Sequence, residues 1–211
     1  MHTDQTKVEE IINVFSNKYP DPETALNYNT SFELLIAVIL SAQTTDKQVN
    51  KTTAKLFKEY NTPEDFARLN PEDLQEKIKS IGLYRNKSKY IIQTANKILN
   101  DFQGEIPSDR ESLMELSGVG RKTANVVLSC AFSKDAFPVD THVFRVSKRL
   151  GLSSGKNVRQ TEKELQKVVP QNIWGKMHHW FILHGRETCK ARNPLCDECP
   201  LKNLCHYINK K

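Results

Sequence analysis

The 211-residue sequence predicts an all-α protein, and three observations carry that expectation. Helix-start signals recur along the chain, strand-like alternation is nearly absent, and Leu34 to Leu40 is an unbroken apolar run suited to a buried central helix. The length allows one large domain or two small ones. A hydrophobic fraction of 38% supplies a core, and 27% charged residues exclude both a disordered tail and a membrane protein. That longest apolar run falls far short of the ~18 residues a spanning helix needs. The N-terminal MHTDQTKVEE lacks a basic n-region and an apolar h-region, so no signal peptide is expected.

Each element has its own signal. The first helix ends at Tyr19-Pro20-Asp21-Pro22. Ser31 opens a helix to about Ala42, apolar on all sides. Asp46 to about Tyr60 is amphipathic. Thr62-Pro63-Glu64-Asp65 and Asn70-Pro71-Glu72-Asp73 each set a capping residue before proline and two acids. The cap satisfies orphan N–H groups, proline suits the first helical position, and the acids suit the dipole. Lys87 to about Phe102 is amphipathic; Ser112 to Leu116 is a short helix; Lys122 to Phe132 follows a glycine-rich turn. After a break at residues 133–138 come helices at Asp140 to Leu150, Val158 to Val168 and Trp174 to Glu187. The tail after Cys189 reads as short turns organised by metal. One faint internal echo links Ile81-Gly82-Leu83-Tyr84-Arg85-Asn86-Lys87 to Ser117-Gly118-Val119-Gly120-Arg121-Lys122: a short helix, a glycine turn, a basic helix start.

The charge is asymmetric. Residues 1–109 carry 13 basic and 16 acidic side chains, a balance of −3; residues 110–211 carry 18 and 9, a balance of +9. A basic half points to a polyanion, nucleic acid first, against the alternative of a solvated mixed surface. Four of the five cysteines fall within residues 189–205, which favours a metal site in a reducing compartment over a disulfide framework. Their spacing, Cys189-x6-Cys196-x2-Cys199-x5-Cys205, could hold zinc or an iron–sulfur cluster. Zinc ribbons prefer two C-x2-C knuckles, and only one is present. Cys130 reads as a small buried helix residue, and His178, His179 and His184 as packing residues without a carboxylate partner.

The segment Ser117 to Thr123 carries the first chemistry. Gly118 and Gly120 allow a sharp turn with exposed N–H groups, and the next helix start adds four more and a positive dipole end. A phosphate fits there. A nucleotide P-loop does not: a helix precedes the turn, and Arg121 separates Gly120 from Lys122.

This unit resembles the helix-hairpin-helix motif, and its setting resembles the endonuclease III family of base-excision DNA glycosylases. The likeness spans about Phe32 to Cys205. It is carried by Glu33 to Asp46, Ile81 to Tyr84, Gly118 to Val127, Val139 to Val146 and the four-cysteine tail. One departure is Ser117, where the family usually has proline. The resemblance implies a barrel domain over 23–134, with the hairpin at about 112–132, and an iron–sulfur domain from 1–22 plus 135–211, with a DNA-binding cleft between them. It also implies a [4Fe–4S] cluster on Cys189, Cys196, Cys199 and Cys205. The partner would be damaged double-stranded DNA, bound by a monomer in the bacterial cytoplasm at the nucleoid, with no membrane involved.

The resemblance makes Lys122 a nucleophile that attacks the sugar C1′, expels an oxidised pyrimidine and forms a Schiff base. β-Elimination then cleaves the strand 3′ to the abasic site. Attack needs the neutral amine, which partial burial, Arg121 and the helix N-terminus would favour. Asp140 reads from spacing as an N-cap; the resemblance adds a catalytic carboxylate that stabilises oxocarbenium charge. Gly118, Val119, Gly120, Arg121 and Thr123 would hold a phosphate, as would Lys190 and Arg192 of the cysteine loop. Gln43 and Leu83 match loop residues that probe an opened duplex, where an amide or an apolar wedge fills the hole left by an extruded base. Ser41, Asp46 and His142 are further pocket candidates. Two rivals are a relative that removes adenine from mismatches, disfavoured by Lys122 and by the chain ending at Lys211, and a non-enzymatic iron–sulfur DNA-binding regulator.

Overall fold

A computed structural model describes residues 5–209; the first four residues of the stretch read for a leader, and residues 210–211, lie outside it. Among the described residues every regular element is helical. The chain divides into two compact units: Thr24–Lys134, and the N-terminal stretch to Glu23 joined with the chain from Asp135 onward.

The Thr24–Lys134 unit contains α2 (Ser31–Ser41), α3 (Asp46–Glu59), α4 (Pro63–Ala67), α5 (Pro71–Ile78), α6 (Tyr84–Phe102), α7 (Arg110–Met114) and α8 (Arg121–Phe132). Every residue from Phe32 to Leu40 is buried, so α2 is the central helix that its apolar run predicts. Helices α3, α6 and α8 pack against it, α4 and α5 against α6, and α7 against α8. Glu33 is the one charged residue in that run; its carboxylate accepts the Asn29 N–H at 2.5 Å. Thr62 and Asp65 form a reciprocal capping box and Asn70 caps α5, with Pro63 and Pro71 at the helix starts. Helix α6 begins at Tyr84, three residues before the expected Lys87. The Leu83 carbonyl accepts the N–H groups of both Asn86 and Lys87, so the helix starts directly behind the turn.

The other unit holds α1 (Gln5–Lys18), α9 (Thr141–Leu150), α10 (Val158–Val168), α11 (Trp174–Glu187) and α12 (His206–Asn209), with 3-10 turns at Gln171–Ile173 and Lys202–Leu204. Its core forms around Phe15 of α1, whose ring lies 6.0 Å from Trp180, 5.9 Å from Phe181 and 5.4 Å from His184 of α11. Helix α11 also packs along α9. No described helix is long and apolar enough to cross a membrane.

Candidate active site and metal centre

The glycine turn before α8 is held from behind by α6. Gly118 has φ +79°, and a Cβ there would stand 3.1 Å from Tyr90 Cβ. A left-handed backbone pressed against a ring selects glycine on both counts. Thr94 Oγ1 donates to the Ser117 carbonyl at 2.9 Å, which fixes Ser117 ahead of the glycine turn. Gly120 is the N-cap of α8 and supplies no side-chain cap. Nothing lies within 4 Å of where its Cβ would be. The start of α8 is therefore open on the side where Gly120 lacks a side chain, which leaves room for an anion. Val119 is buried, Arg121 and Thr123 are half-buried, and Lys122 is exposed. That corrects the partial burial expected of Lys122: the buried face of α8 begins at Ala124, and the second residue of the helix looks away from it.

Gln43 and Leu83 are brought together. Both are left-handed, at φ 56° and 59°, and both are exposed. The turns that carry them touch: Gly82 N–H donates to Thr44 Oγ1 at 3.1 Å, and a Cβ on Gly82 would stand 3.0 Å from the Gln43 carbonyl oxygen. Ser41 and Asp46 border the same turn and are half-buried; the Ser41 hydroxyl is engaged with the Val38 carbonyl at 2.8 Å.

Asp140 sits in the other unit as the N-cap of α9. Its Oδ1 accepts the N–H groups of His142 and Val143, each at 2.8 Å. Those bonds hold the carboxylate in one orientation and leave Oδ2 for other work. Next to it, Arg145 Nη2 donates to His142 Nδ1 at 3.1 Å. Burial lowers the His142 pKa, and Arg145 and Arg186 lower it further against the opposing charge of Asp140.

Cys189, Cys196, Cys199 and Cys205 line one pocket, together with Arg149, His184 and Tyr207. Among the described residues no three His, Cys, Asp or Glu side chains converge as they would on a single ion. A lone zinc draws four sulfurs to ~2.3 Å. A cluster with one thiolate on each iron takes four cysteines around one cavity, and these four line one. Burial, with the neighbouring cysteines adding to it, raises the Cys199 pKa. Thiolates that share one cavity would be held by the positive charge of iron. Cationic and polar groups already face them: Arg149 Nη1 donates to Cys189 Sγ at 3.4 Å, and His184 Nε2 lies 3.7 Å from Cys199 Sγ. His184 is 1% exposed, and its Nδ1 is a buried atom without a hydrogen-bond partner. Lys190 and Arg192 project from the loop and are exposed. Cys130 belongs to the Thr24–Lys134 unit; it is half-buried, not fully buried as expected, because it lies past the buried stretch of α8 that ends at Leu128.

Residues 36–171 match the HhH-GPD superfamily of base excision DNA repair proteins, and residues 189–205 match the iron-sulfur binding domain of endonuclease III. The chain belongs to the endonuclease III family. It is 50% identical over 206 residues to endonuclease III of Haemophilus influenzae, covering 98% of each chain. To the Escherichia coli K12 protein it is 50% identical over 201 residues, covering 95% of each. A solved structure described as a trapped endonuclease III–DNA covalent intermediate superposes with a TM-score of 0.93 at 45% identity, covering 99% of this chain and 98% of that one. As a member of the endonuclease III family the chain is a base-excision DNA repair enzyme of the glycosylase class, and its cofactor is a [4Fe–4S] cluster.

Sequence reasoning missed three long-range contacts around these sites. Arg149 and His184 reach the cysteines from helices 40 and 15 residues away in the chain, respectively. Lys87 was legible only as a basic helix start, yet it is 4% exposed and bonded to the Gln43 turn. No local spacing signals such contacts.

Proposed function

We propose that the enzyme removes oxidised pyrimidines from double-stranded DNA and cleaves the abasic strand through a Schiff base on Lys122. Lys122 Nζ attacks C1′ while the C1′–base bond breaks and the base leaves with a proton. The C1′–O4′ bond then opens to an iminium, whose C2′ proton becomes acidic. O4′ takes up a proton as the ring opens, and loss of the C2′ proton then breaks the C3′–O bond, whose electron pair leaves with the 5′-phosphate of the downstream strand. Asp140 would stabilise positive charge at C1′ and carry protons, with Oδ1 fixed by two N–H groups and Oδ2 turned to the sugar. The hairpin residues 118–121 and Thr123 would hold a backbone phosphate, and Gln43 and Leu83 would fill the space of the extruded base. Ser41, Asp46 and His142 would border the lesion. The cluster, when bound, orders residues 189–205, and Lys190 and Arg192 of that loop would meet phosphates.

One observation supports this reading most: a lysine stands exposed at the second position of α8, directly behind Gly120, whose α-carbon has open space on its side-chain face. The homologous protein has been captured as a covalent DNA intermediate. Borohydride trapping on a duplex with one thymine glycol tests it. The expected result is a covalent adduct in the wild type and none in Lys122→Ala, with strand cleavage reduced roughly 10⁴-fold or more and DNA affinity largely retained. An adduct that survives in Lys122→Ala would move the nucleophile elsewhere.

A further inference from the structure

Lys87 is a buried lysine that the reaction does not use. It lies on the first turns of α6, four residues past Leu83, and is 4% exposed. Its ammonium donates to the Leu40 carbonyl at 2.9 Å, to the Ala42 carbonyl at 2.5 Å and to Thr44 Oγ1 at 3.4 Å. All three protons of the ammonium are thereby engaged. Two of the acceptors are orphan carbonyls at the C-terminal end of α2, where the helix dipole favours a cation. The third, Thr44 Oγ1, also accepts the Gly82 N–H. Lys87 therefore closes a ring: Leu83 leads through one helical turn to Lys87, from there to the 40–44 segment, and through Thr44 back to Gly82.

A charge without an acidic partner is an expensive way to cap a helix. Burial lowers the Lys87 pKa to about 8. An apolar side chain in the same space would avoid that penalty but would leave the α2 carbonyls unpaired. What the ammonium provides is a rigid join between two turns that each carry an exposed residue in a left-handed conformation, Gln43 and Leu83.

We propose that Lys87 is a positioning residue that locks the 41–44 turn to the 82–83 turn, so that Gln43 and Leu83 enter an opened duplex as one body. The inference rests on the reading of those two residues as duplex probes. Base extrusion from a duplex must then depend on Lys87, whereas cleavage of an already unpaired abasic site must not.

The test compares wild type, Lys87→Met, Lys87→Arg and Thr44→Val, each with its cluster intact by absorbance. Two substrates are used: a thymine glycol duplex with 2-aminopurine opposite the lesion, and a single-stranded oligonucleotide with a preformed abasic site. Amide hydrogen exchange of residues 40–45 and 81–86 is followed in the same proteins. Lys87→Met is expected to lose about tenfold or more in duplex excision and in the 2-aminopurine signal, since ~1.4 kcal/mol per decade is within the range of lost charged hydrogen bonds. Single-strand cleavage should stay within about twofold, and exchange should quicken in both segments together. Lys87→Arg should recover most of the duplex activity, and Thr44→Val should show a weaker form of the same split. Equal losses on both substrates would overturn the proposal, because a merely structural lysine affects every activity alike. So would quickened exchange confined to residues 40–45. If Lys87→Met does not fold, Thr44→Val decides on the same criteria. Failure of the underlying functional reading would show separately, as wild-type protein that neither extrudes nor cleaves, and hydrogen exchange still reports whether the two turns are coupled.

Discussion

The turn before α6 and the turn before α8 share a plan of short helix, glycine and basic helix start, and they use it for opposite ends. Before α8, glycine itself takes the left-handed position: Gly118 at φ +79° lets the backbone lie against Tyr90. The basic residue that follows, Lys122, stays exposed. Before α6, the left-handed position falls on Leu83, 54% exposed at φ 59°, and the basic residue that follows, Lys87, is buried. One turn thus presents backbone N–H groups and an amine; the other presents an apolar side chain and spends its amine internally. Under the function proposed above, the same local plan would serve phosphate binding in one place and duplex probing in the other, according to where the side chains are withheld.

Equivalent substitutions in the two turns should therefore have unlike effects. Gly118→Ala forces a Cβ into Tyr90 and into left-handed strain, and should destabilise the protein by about 2 kcal/mol or more, read as a fall in the denaturation midpoint together with lost DNA binding. Gly120→Ala meets no protein atom, so the midpoint should hold while DNA affinity falls about tenfold, roughly 1.4 kcal/mol, because the methyl group occupies the anion's approach. An unchanged affinity would remove Gly120 from the phosphate site. Leu83→Gly should have the reverse sign of Gly118→Ala for backbone strain, which relieves about 1 kcal/mol against added chain entropy. Its stability should stay within about 1 kcal/mol of wild type while duplex excision drops.

The smallest effect concerns pH. The folded-state pKa of Lys87 lies below its ordinary 10.5, at about 8, so between those values the unfolded chain holds the proton that the folded chain has released. Stability attributable to this group rises with pH across that window and is lower beneath it. Urea midpoints of wild type measured against Lys87→Met should therefore move in favour of the wild type from pH 8 to pH 10. A constant difference would mean that Lys87 titrates normally.

The two turns also show what the sequence makes legible. Caps and prolines at Thr62-Pro63 and Asn70-Pro71, and the apolar run at 34–40, act through neighbours in the chain, and the structure follows them closely. The cysteine spacing is local in the same sense. The left-handed state of Leu83 and Gln43 is not, since nothing in either side chain prefers it; tertiary contacts with Thr44, Gly82 and Lys87 impose it. Lys87 itself bonds to residues 43 to 47 positions away, and Arg149 to a sulfur 40 positions away. Pairings of that reach depend on how helices stack, which helical periodicity does not encode.

The placement of α1 bears on how the chain is made. Its residues leave the ribosome before those of α2 to α12, yet Phe15 packs against Trp180 and Phe181, and Lys18 donates to Thr188 across 170 positions. The Thr24–Lys134 unit is contiguous and can close as soon as it is synthesised. The other unit has to wait, its loop closure spanning almost the entire chain. A nascent chain therefore carries a finished middle and, ahead of it, an amphipathic helix whose apolar face of Val8, Ile11 and Phe15 is not yet covered, and during synthesis it is α1 that a chaperone would find exposed.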